Sequence, residues 1–237
     1  MKAYVLEKYK ESVQEKEMLQ QLSMEQEFDT LKSQVNPHFL YNTLEMISWL
    51  SEENQPEKVK SVVQAMARFY RLSLNRGDDT NTIFNEIELV RHYVLIQNMR
   101  FKDKIQLIIS MQNIDQYILP KITLQPIVEN AINHGILENP DKSGTIRMTG
   151  FIDDDRQIHI TISDDGQGID EHQLNLMSTG QAVSSDGSGF GFNSIGERLA
   201  IFFGVEKAVK IYSKKGVGTS VSLIFPAVEQ QDSRFSH

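Results

Sequence analysis

The segment QPIVENAINHG, residues 125–135, sets two amides and a carboxylate among apolar residues at helical spacing. Leu124, Ile127, Val128, Ala131 and Ile132 give it a core face, while Glu129, Asn130, Asn133 and His134 project polar groups elsewhere. Asn130 and Asn133 are three residues apart and share a side. Such groups are costly if buried without partners. They suit a hydrated Mg²⁺ and phosphate oxygens, because Mg²⁺ prefers oxygen ligands and keeps several waters. A second set, Asp164-Asp165-Gly166-Gln167-Gly168, directly follows a strand pattern. A carboxylate there can accept from the exocyclic amine of adenine, whereas guanine presents a carbonyl, so Asp164 alone can select the base. Gly166 and Gly168 allow close backbone approach and positive φ. A third set, Gly187-Ser188-Gly189-Phe190-Gly191, opens into a helix near Asn193, where N–H groups and the helix dipole attract an anion. Its GxGxG spacing is neither the dinucleotide fingerprint nor the P-loop. The fourth, Gly216-Val217-Gly218-Thr219, turns into the last strand. Each alone also fits a plain turn, a flexible loop or a surface helix; their order gives them joint meaning.

Six histidines are present. His92, His159, His172 and His237 lie in a helix, on the solvent side of a strand or at surface positions, and none has metal-site spacing. His134 ends the Asn-rich helix, placed either to touch phosphate or to cap it. His38 stands in Gln34-Val-Asn-Pro-His-Phe-Leu-Tyr-Asn-Thr-Leu44, where Pro37 should interrupt a helical run and present the imidazole clear of its neighbours. A neutral imidazole is a competent nucleophile near pH 7 and can take a phosphoryl group. The plainer reading is a helix junction.

The elements that must position these residues fall into two halves. Residues 1–35 carry apolar groups at Leu6, Tyr9, Val13, then Met18, Leu22, then Phe28, Leu31, Val35, out of phase with one another. This predicts a long helix that pairs with a partner across a broken seam, or one that lies on its own domain. A second helix is expected over about 38–50 with Leu40, Leu44, Ile47 and Leu50 on one face. A third is expected from Pro56 to about Arg76, stopped by Gly77, with Val59, Val62, Val63, Met66, Phe69 and Tyr70 inward. A fourth should start at Asn85, with Asn85 and Glu88 as an N-cap and N3 pair, and run to about Phe101. From Ile105 the period changes to two: Ile105, Leu107, Ile109, Met111; Ile158, Ile160, Ile162; Val221, Leu223, Phe225. With helices expected at about 121–134 and 193–203, the order fits an α+β sandwich with helices on one face of a mixed sheet. The composition shift near 101–104 marks the domain boundary.

The chain has 237 residues, 40% of them apolar and 24% charged, as in soluble globular proteins. Its formal charge of −8 argues against nucleic-acid binding. The absence of cysteine removes disulfides, thiolate nucleophiles and cysteine zinc sites, and fits a reducing compartment. No run approaches the roughly 18–20 apolar residues that cross a bilayer.

The motif order helix, strand-end Asp, Gly-rich loop before a helix, and GxGT before a strand resembles the Bergerat-fold (GHKL) ATP-binding domain. That domain is shared by histidine kinases, DNA gyrase, Hsp90 and MutL. The string LKSQVNPHFLYNTL resembles the phosphoacceptor box of LytS/YesM-type sensor histidine kinases. RFYRLSL, ELVRHYVLIQNMRF and LQPIVENAINHGI extend the resemblance over about 31–226. It implies a fold with an N-terminal dimerising helical hairpin and a long lead-in helix, followed by an α/β-sandwich ATP-binding domain. The implied segments are a signalling helix over 1–35, a dimerisation and phosphotransfer region over 36–103, an ATP-binding domain over 104–226 and a disordered tail over 227–237.

The implied cofactors are ATP and Mg²⁺. Asp164 would read adenine, Asn130 would carry Mg²⁺, and the loop around 178–191 would be the ATP lid. Asn133, His134, Gly166, Gly168, Gly187, Gly189, Gly191 and Thr219 would complete the nucleotide site. His38 would be phosphorylated from ATP and pass the group to an aspartate on a response-regulator receiver domain, in a homodimer. In the alternative, a Bergerat-fold ATPase, Glu129 would activate water and His38 would have no use; a degenerate dimeric scaffold is the third reading. The sequence departs from the family pattern in three ways. Asn133 stands where many histidine kinases have a basic residue, and Phe39 follows His38 where the commonest have an acid. The usual N-terminal membrane helices are missing, so the chain is read as the cytoplasmic portion of a membrane sensor.

Overall fold

The computed structural model describes residues 37–74, 79–178 and 190–230. The expected lead-in helix over 1–35, the Gly77 stop and the tail beyond residue 230 therefore lie outside the described residues. The chain divides into two compact units, 1–55 and 56–237.

In the first unit, helix α1 spans Pro37–Glu52. Pro37 is the first of the described residues. The helix closes in a Schellman arrangement: Asn54 takes the left-handed conformation at φ 56°, Gln55 N–H donates to Leu50 O (3.0 Å) and Asn54 N–H to Ser51 O (3.1 Å). The buried line is Phe39, Thr43, Met46 and Leu50. This corrects the expected face by one position: of Leu40, Leu44, Ile47 and Leu50 only Leu50 is buried, and Leu44 is 50% exposed. Apolar residues occur on nearly every side of α1, so spacing alone could not choose among them.

The second unit opens with α2, Pro56–Ser73, whose buried line is Val62, Ala65, Phe69 and Ser73. Strand β1, Thr80–Thr82, leads into α3, Ile83–Phe101. The cap of α3 is Thr82, whose Oγ1 accepts from Asn85 N–H at 3.2 Å, so Asn85 is the third helical residue and not the cap. Glu88 instead pairs with Arg91 at 3.2 Å. Helix α3 buries residues all round, from Ile83 to Gln97, because α2, α4 and strand β2 pack against it. Its end is tied to β2, Ile105–Met111, through the Asn98 side chain, which donates to Ile105 O (2.7 Å) and accepts from Ile105 N–H (2.9 Å).

After β3, Ile118–Pro120, comes α4, Gln125–Asn130. It continues as a π turn over Ala131–Gly135 and a 3₁₀ turn over Ile136–Glu138. Then follow β4 (Gly144–Ile152), β5 (Gln157–Asp164), α5 (Glu171–Ser178), α6 (Phe190–Phe203), β6 (Val209–Lys214) and β7 (Gly218–Pro226).

Among the described residues the strands form a five-stranded sheet in the order β2-β4-β5-β7-β6, and a two-stranded sheet of β1 and β3. Only β2 and β4 of the large sheet run parallel. Ile158, Ile160 and Ile162 are buried with Val221, Leu223 and Phe225, as their alternation predicts. In β2 only Ile105 is fully buried; Leu107, Ile109 and Met111 are half-buried, since β2 is an edge strand. The other face is polar, with Thr161 and Ser222 hydroxyls 3.1 Å apart. The α+β sandwich is the observed fold. Residues 227–229 are tied in, by Ala227 N–H to Arg156 O and Ile118 N–H to Val228 O (both 2.9 Å), with Tyr117 bridging Glu229.

Candidate nucleotide site

Asp164 is the last residue of β5, in register with Thr219 of β7 on one side and Ile146 of β4 on the other. Its Oδ1 accepts from Gly166 N–H at 2.9 Å. Burial pushes its carboxyl up to about 6, opposed by the N–H donors of Gly166 and Thr219 and reinforced by repulsion from Asp165. Asp165 itself turns the other way, accepting from Thr145 N–H at 2.7 Å.

Three of the four sequence motifs meet here, and glycine is what lets them meet. A Cβ on Gly135, at the end of the π turn, would lie 2.8 Å from Asp164 Oδ1. One on Gly166 would overlap the Gly135 backbone, and Gln167 N–H donates to Gly135 O at 3.1 Å. On the opposite side Gly168 (φ +64°) packs on Lys214 O and Gly218 (φ +132°) on Asp164 O, while Gly216 N–H donates to Gln167 O at 2.6 Å. The Asn-rich helix, the Asp-x-Gly-x-Gly loop and the GxGT turn therefore interlock around one carboxylate. Of the third motif, Gly187 and Gly189 lie outside the described residues, and Gly191 lies in α6.

On the Asn-rich helix, Asn130 and Asn133 are half-buried and His134 is exposed. Asn130 has no side-chain partner among the described residues, which leaves its amide open to a ligand. The π turn widens the helix between Asn130 and Gly135; such turns recur at functional sites. Glu129 accepts from the buried Gln125 amide at 2.7 Å. Tyr93 of α3, 1% exposed, lies near Glu129, Gln97 and Asn133, and burial is the main cause that raises its pKa. Thr219 contributes its N–H to Asp164, while its hydroxyl lies 2.9 Å from Ser213 Oγ.

ATP and Mg²⁺ can be tested against these residues. The Asp164 carboxylate, held by backbone N–H groups, is the kind of acceptor an exocyclic amine needs, and the open Asn130 amide fits an oxygen-liganded ion. Among the described residues no group of three His, Cys, Asp or Glu side chains could hold a metal, so Mg²⁺ would lean on Asn130, water and phosphate oxygens. No helix of the described residues is long and apolar enough to cross a membrane.

His38 lies in the other unit. It is exposed in the first turn of α1, with Asn42 Nδ2 3.1 Å from Nδ1 and 3.2 Å from Nε2. The helical run before Pro37, and with it the expected interruption there, lies outside the described residues. His159 is structural: it pairs with Asp153 at 2.6 Å and stacks on Phe151 at 4.8 Å.

Sequence reasoning missed the roles of Gly135, Gln125 and Glu86. The signal for Glu86 was present, an acid in phase with the apolar stripe of Ile83, Val90 and Tyr93. Nothing in sequence marked the π turn.

A family model described as histidine kinase matches residues 26–105. One described as histidine kinase-, DNA gyrase B- and HSP90-like ATPase matches residues 117–229. The chain is 33% identical over 223 residues to sensor histidine kinase YesM of Bacillus subtilis, covering 94% of this chain and 37% of YesM. It is 31% identical over 206 residues to the uncharacterized Bacillus subtilis protein YwpD, covering 86% of this chain and 71% of YwpD. It is also 29% identical over 222 residues to sensor protein LytS of Staphylococcus epidermidis, covering 93% and 37%. The chain thus spans little more than a third of the length of YesM and LytS.

Proposed function

The chain belongs to the LytS/YesM-type sensor histidine kinases, and from that premise we propose that it phosphorylates His38 from ATP and passes the group to an aspartate of a response-regulator receiver domain. The observation that supports this reading is the interlock of Gly135, Gly166 and Gly218 around the Asp164 carboxylate, in a chain that also exposes a histidine directly after Pro37.

ATP supplies the transferable phosphoryl group, and Mg²⁺ offsets its charge. Asp164 would accept from the adenine amine, with the N–H groups of Gly166 and Thr219 holding that carboxylate and Gly168 packing on the GxGT turn. Asn130 offers the oxygen ligand for Mg²⁺. Asn133 and His134 would serve the phosphate end, and the resemblance assigns Gly187, Gly189 and Gly191 of the glycine-rich segment to the ATP lid. His38 contributes the lone pair that forms the P–N bond as the bond to the leaving ADP oxygen breaks. Glu129, whose carboxylate accepts from Gln125, is the group that would activate water in the alternative ATPase reading.

The proposed functional segments are 1–35 for signalling, 36–103 for dimerisation and phosphotransfer, and 104–226 for ATP binding. The compact unit that contains the sheet begins earlier, at Pro56, because α2 packs on α3 and α3 in turn on β2 and α4. The chain would act as a homodimer and as the cytoplasmic portion of a membrane sensor. Apolar side chains left outside on α1 support a partner, with Leu44 at 50% and Trp49 at 49% exposure.

Incubation with γ-labelled ATP and Mg²⁺ tests the reading. The unmodified protein should acquire acid-labile, alkali-stable phosphate, and His38→Gln should bind ATP normally yet acquire none. Acid-labile label at the original level in His38→Gln would overturn the assignment.

A further inference from the structure

Helix α4 carries Asn130 but begins without a cap of its own, since Leu124 makes no side-chain hydrogen bond at its N-terminus. The loop before it is held from another helix. Glu86 of α3 is fully buried. Its Oε1 accepts from Ile122 N–H (2.8 Å) and Asn81 Nδ2 (3.1 Å), and its Oε2 accepts from Thr123 N–H (2.8 Å) and Leu124 N–H (3.1 Å). Four donors thus converge on one side chain, three of them backbone groups 36 to 38 residues away in sequence.

The loop needs holding. Ile122 sits at φ +56°, in the left-handed region, which a β-branched residue adopts only where its surroundings impose it. Its carbonyl is held as firmly as its N–H. Arg198 of α6 donates from Nη2 to Ile122 O at 2.7 Å and lies 3.4 Å from Thr123 Oγ1. Thr123 Oγ1 donates in turn to Pro120 O at 2.5 Å. Arg198 is exposed as a whole residue, but desolvation of its guanidinium lowers its pKa, and the attraction of Glu86 opposes this. Asp164, by contrast, is held from β7 and the Gly166 turn and shares none of these contacts.

We infer that Glu86 and Arg198 are positioning residues: they clamp Ile122 in its left-handed conformation and thereby set where α4 presents Asn130 to the metal and phosphate end of the nucleotide. The inference rests on the reading of Asn130 as the Mg²⁺ ligand. It separates the two ends of the pocket, because the clamp acts on Asn130 and leaves base reading to Asp164.

The test uses the whole chain and ATP affinity measured twice, with Mg²⁺ and with EDTA. Glu86→Gln keeps the side-chain shape but turns an amide donor toward backbone N–H groups. Arg198→Met removes the carbonyl's partner from a residue exposed enough to tolerate the change. Each should cut the Mg²⁺-dependent gain in ATP affinity about tenfold, the scale on which partners of metal ligands act. ATP affinity in EDTA should change less than about twofold. Adding Ile122→Gly to either variant should recover most of the lost gain, because glycine holds φ +56° without a clamp.

Equal loss with and without Mg²⁺, or no rescue by Ile122→Gly, would overturn the inference in favour of a merely structural role. If Glu86→Gln does not fold, Arg198→Met alone decides by the same comparison. A Mg²⁺ gain untouched by both variants sinks the clamp and leaves the function standing. Absence of any Mg²⁺ gain in the unmodified protein sinks the role of Asn130 and the clamp together.

Discussion

Asp164→Asn should make the ligand-free protein more stable at neutral pH while abolishing its preference for ATP. A carboxyl whose ordinary pKa of 3.8 rises to about 6 on folding is held more tightly as the acid in the native state. It therefore contributes stability at low pH, and that contribution is lost as pH rises from the unfolded value through the folded one. Above pH 7 the cost to the native state is about 3 kcal/mol. Asparagine removes the charge but meets one backbone N–H with an amide donor, so the net gain should be about 1–2 kcal/mol. Urea unfolding of both proteins at pH 7.5 and pH 5 measures this. The variant's advantage should be largest at pH 7.5 and shrink at pH 5. The same group sets binding. The ionised carboxyl is the stronger acceptor from the adenine amine, so ATP affinity of the unmodified protein should fall, by up to about tenfold, between pH 7.5 and pH 5. A carboxyl of ordinary pKa would give almost no change over that range. A variant no more stable than the parent at pH 7.5, or pH-independent ATP affinity, would refute the argument. Equal affinity of the unmodified protein for ATP and GTP would refute base selection by Asp164.

Gly135→Ala should lower ATP affinity by at least about tenfold, because its methyl would lie 2.8 Å from Asp164 Oδ1 and the Asp-x-Gly loop lacks room to retreat; calorimetric titration with ADP checks this, and near-parental affinity would show that the interlock is loose. Thr82→Ala should cost about 1 kcal/mol in denaturant unfolding, with Thr82→Ser nearly neutral, whereas Asn85→Ala should fall within about 0.5 kcal/mol of the parent. The reverse order would restore Asn85 as the cap of α3. Sedimentation should show a dimer for the unmodified protein and a weakened one for Leu44→Glu, since the exposed side of α1 would then carry a charge. A monomer at tens of micromolar would count against dimerisation through the helical region.

The parts of this protein legible from sequence are those whose physics is local. Period-two alternation at 158–162 and 221–225 announced strands with one buried face, and both stretches lie in the sheet as expected. The Asp-x-Gly-x-Gly and GxGT turns were readable because positive φ and close backbone approach are properties of glycine itself. Tertiary structure alone decided which side of α1 is buried, since Phe39, Leu40, Leu44, Met46, Ile47 and Leu50 offer a hydrophobic group in almost every direction. It also decided that α3 folds with the sheet, and that Leu107, Ile109 and Met111 stay half-buried on an edge strand. Above all it decided what Glu86 does. A carboxylate in a helix announces its charge through its own residue type. The three backbone N–H groups that satisfy it belong to a strained loop more than thirty residues away, and only the packing of α3, α4 and α6 brings them within reach.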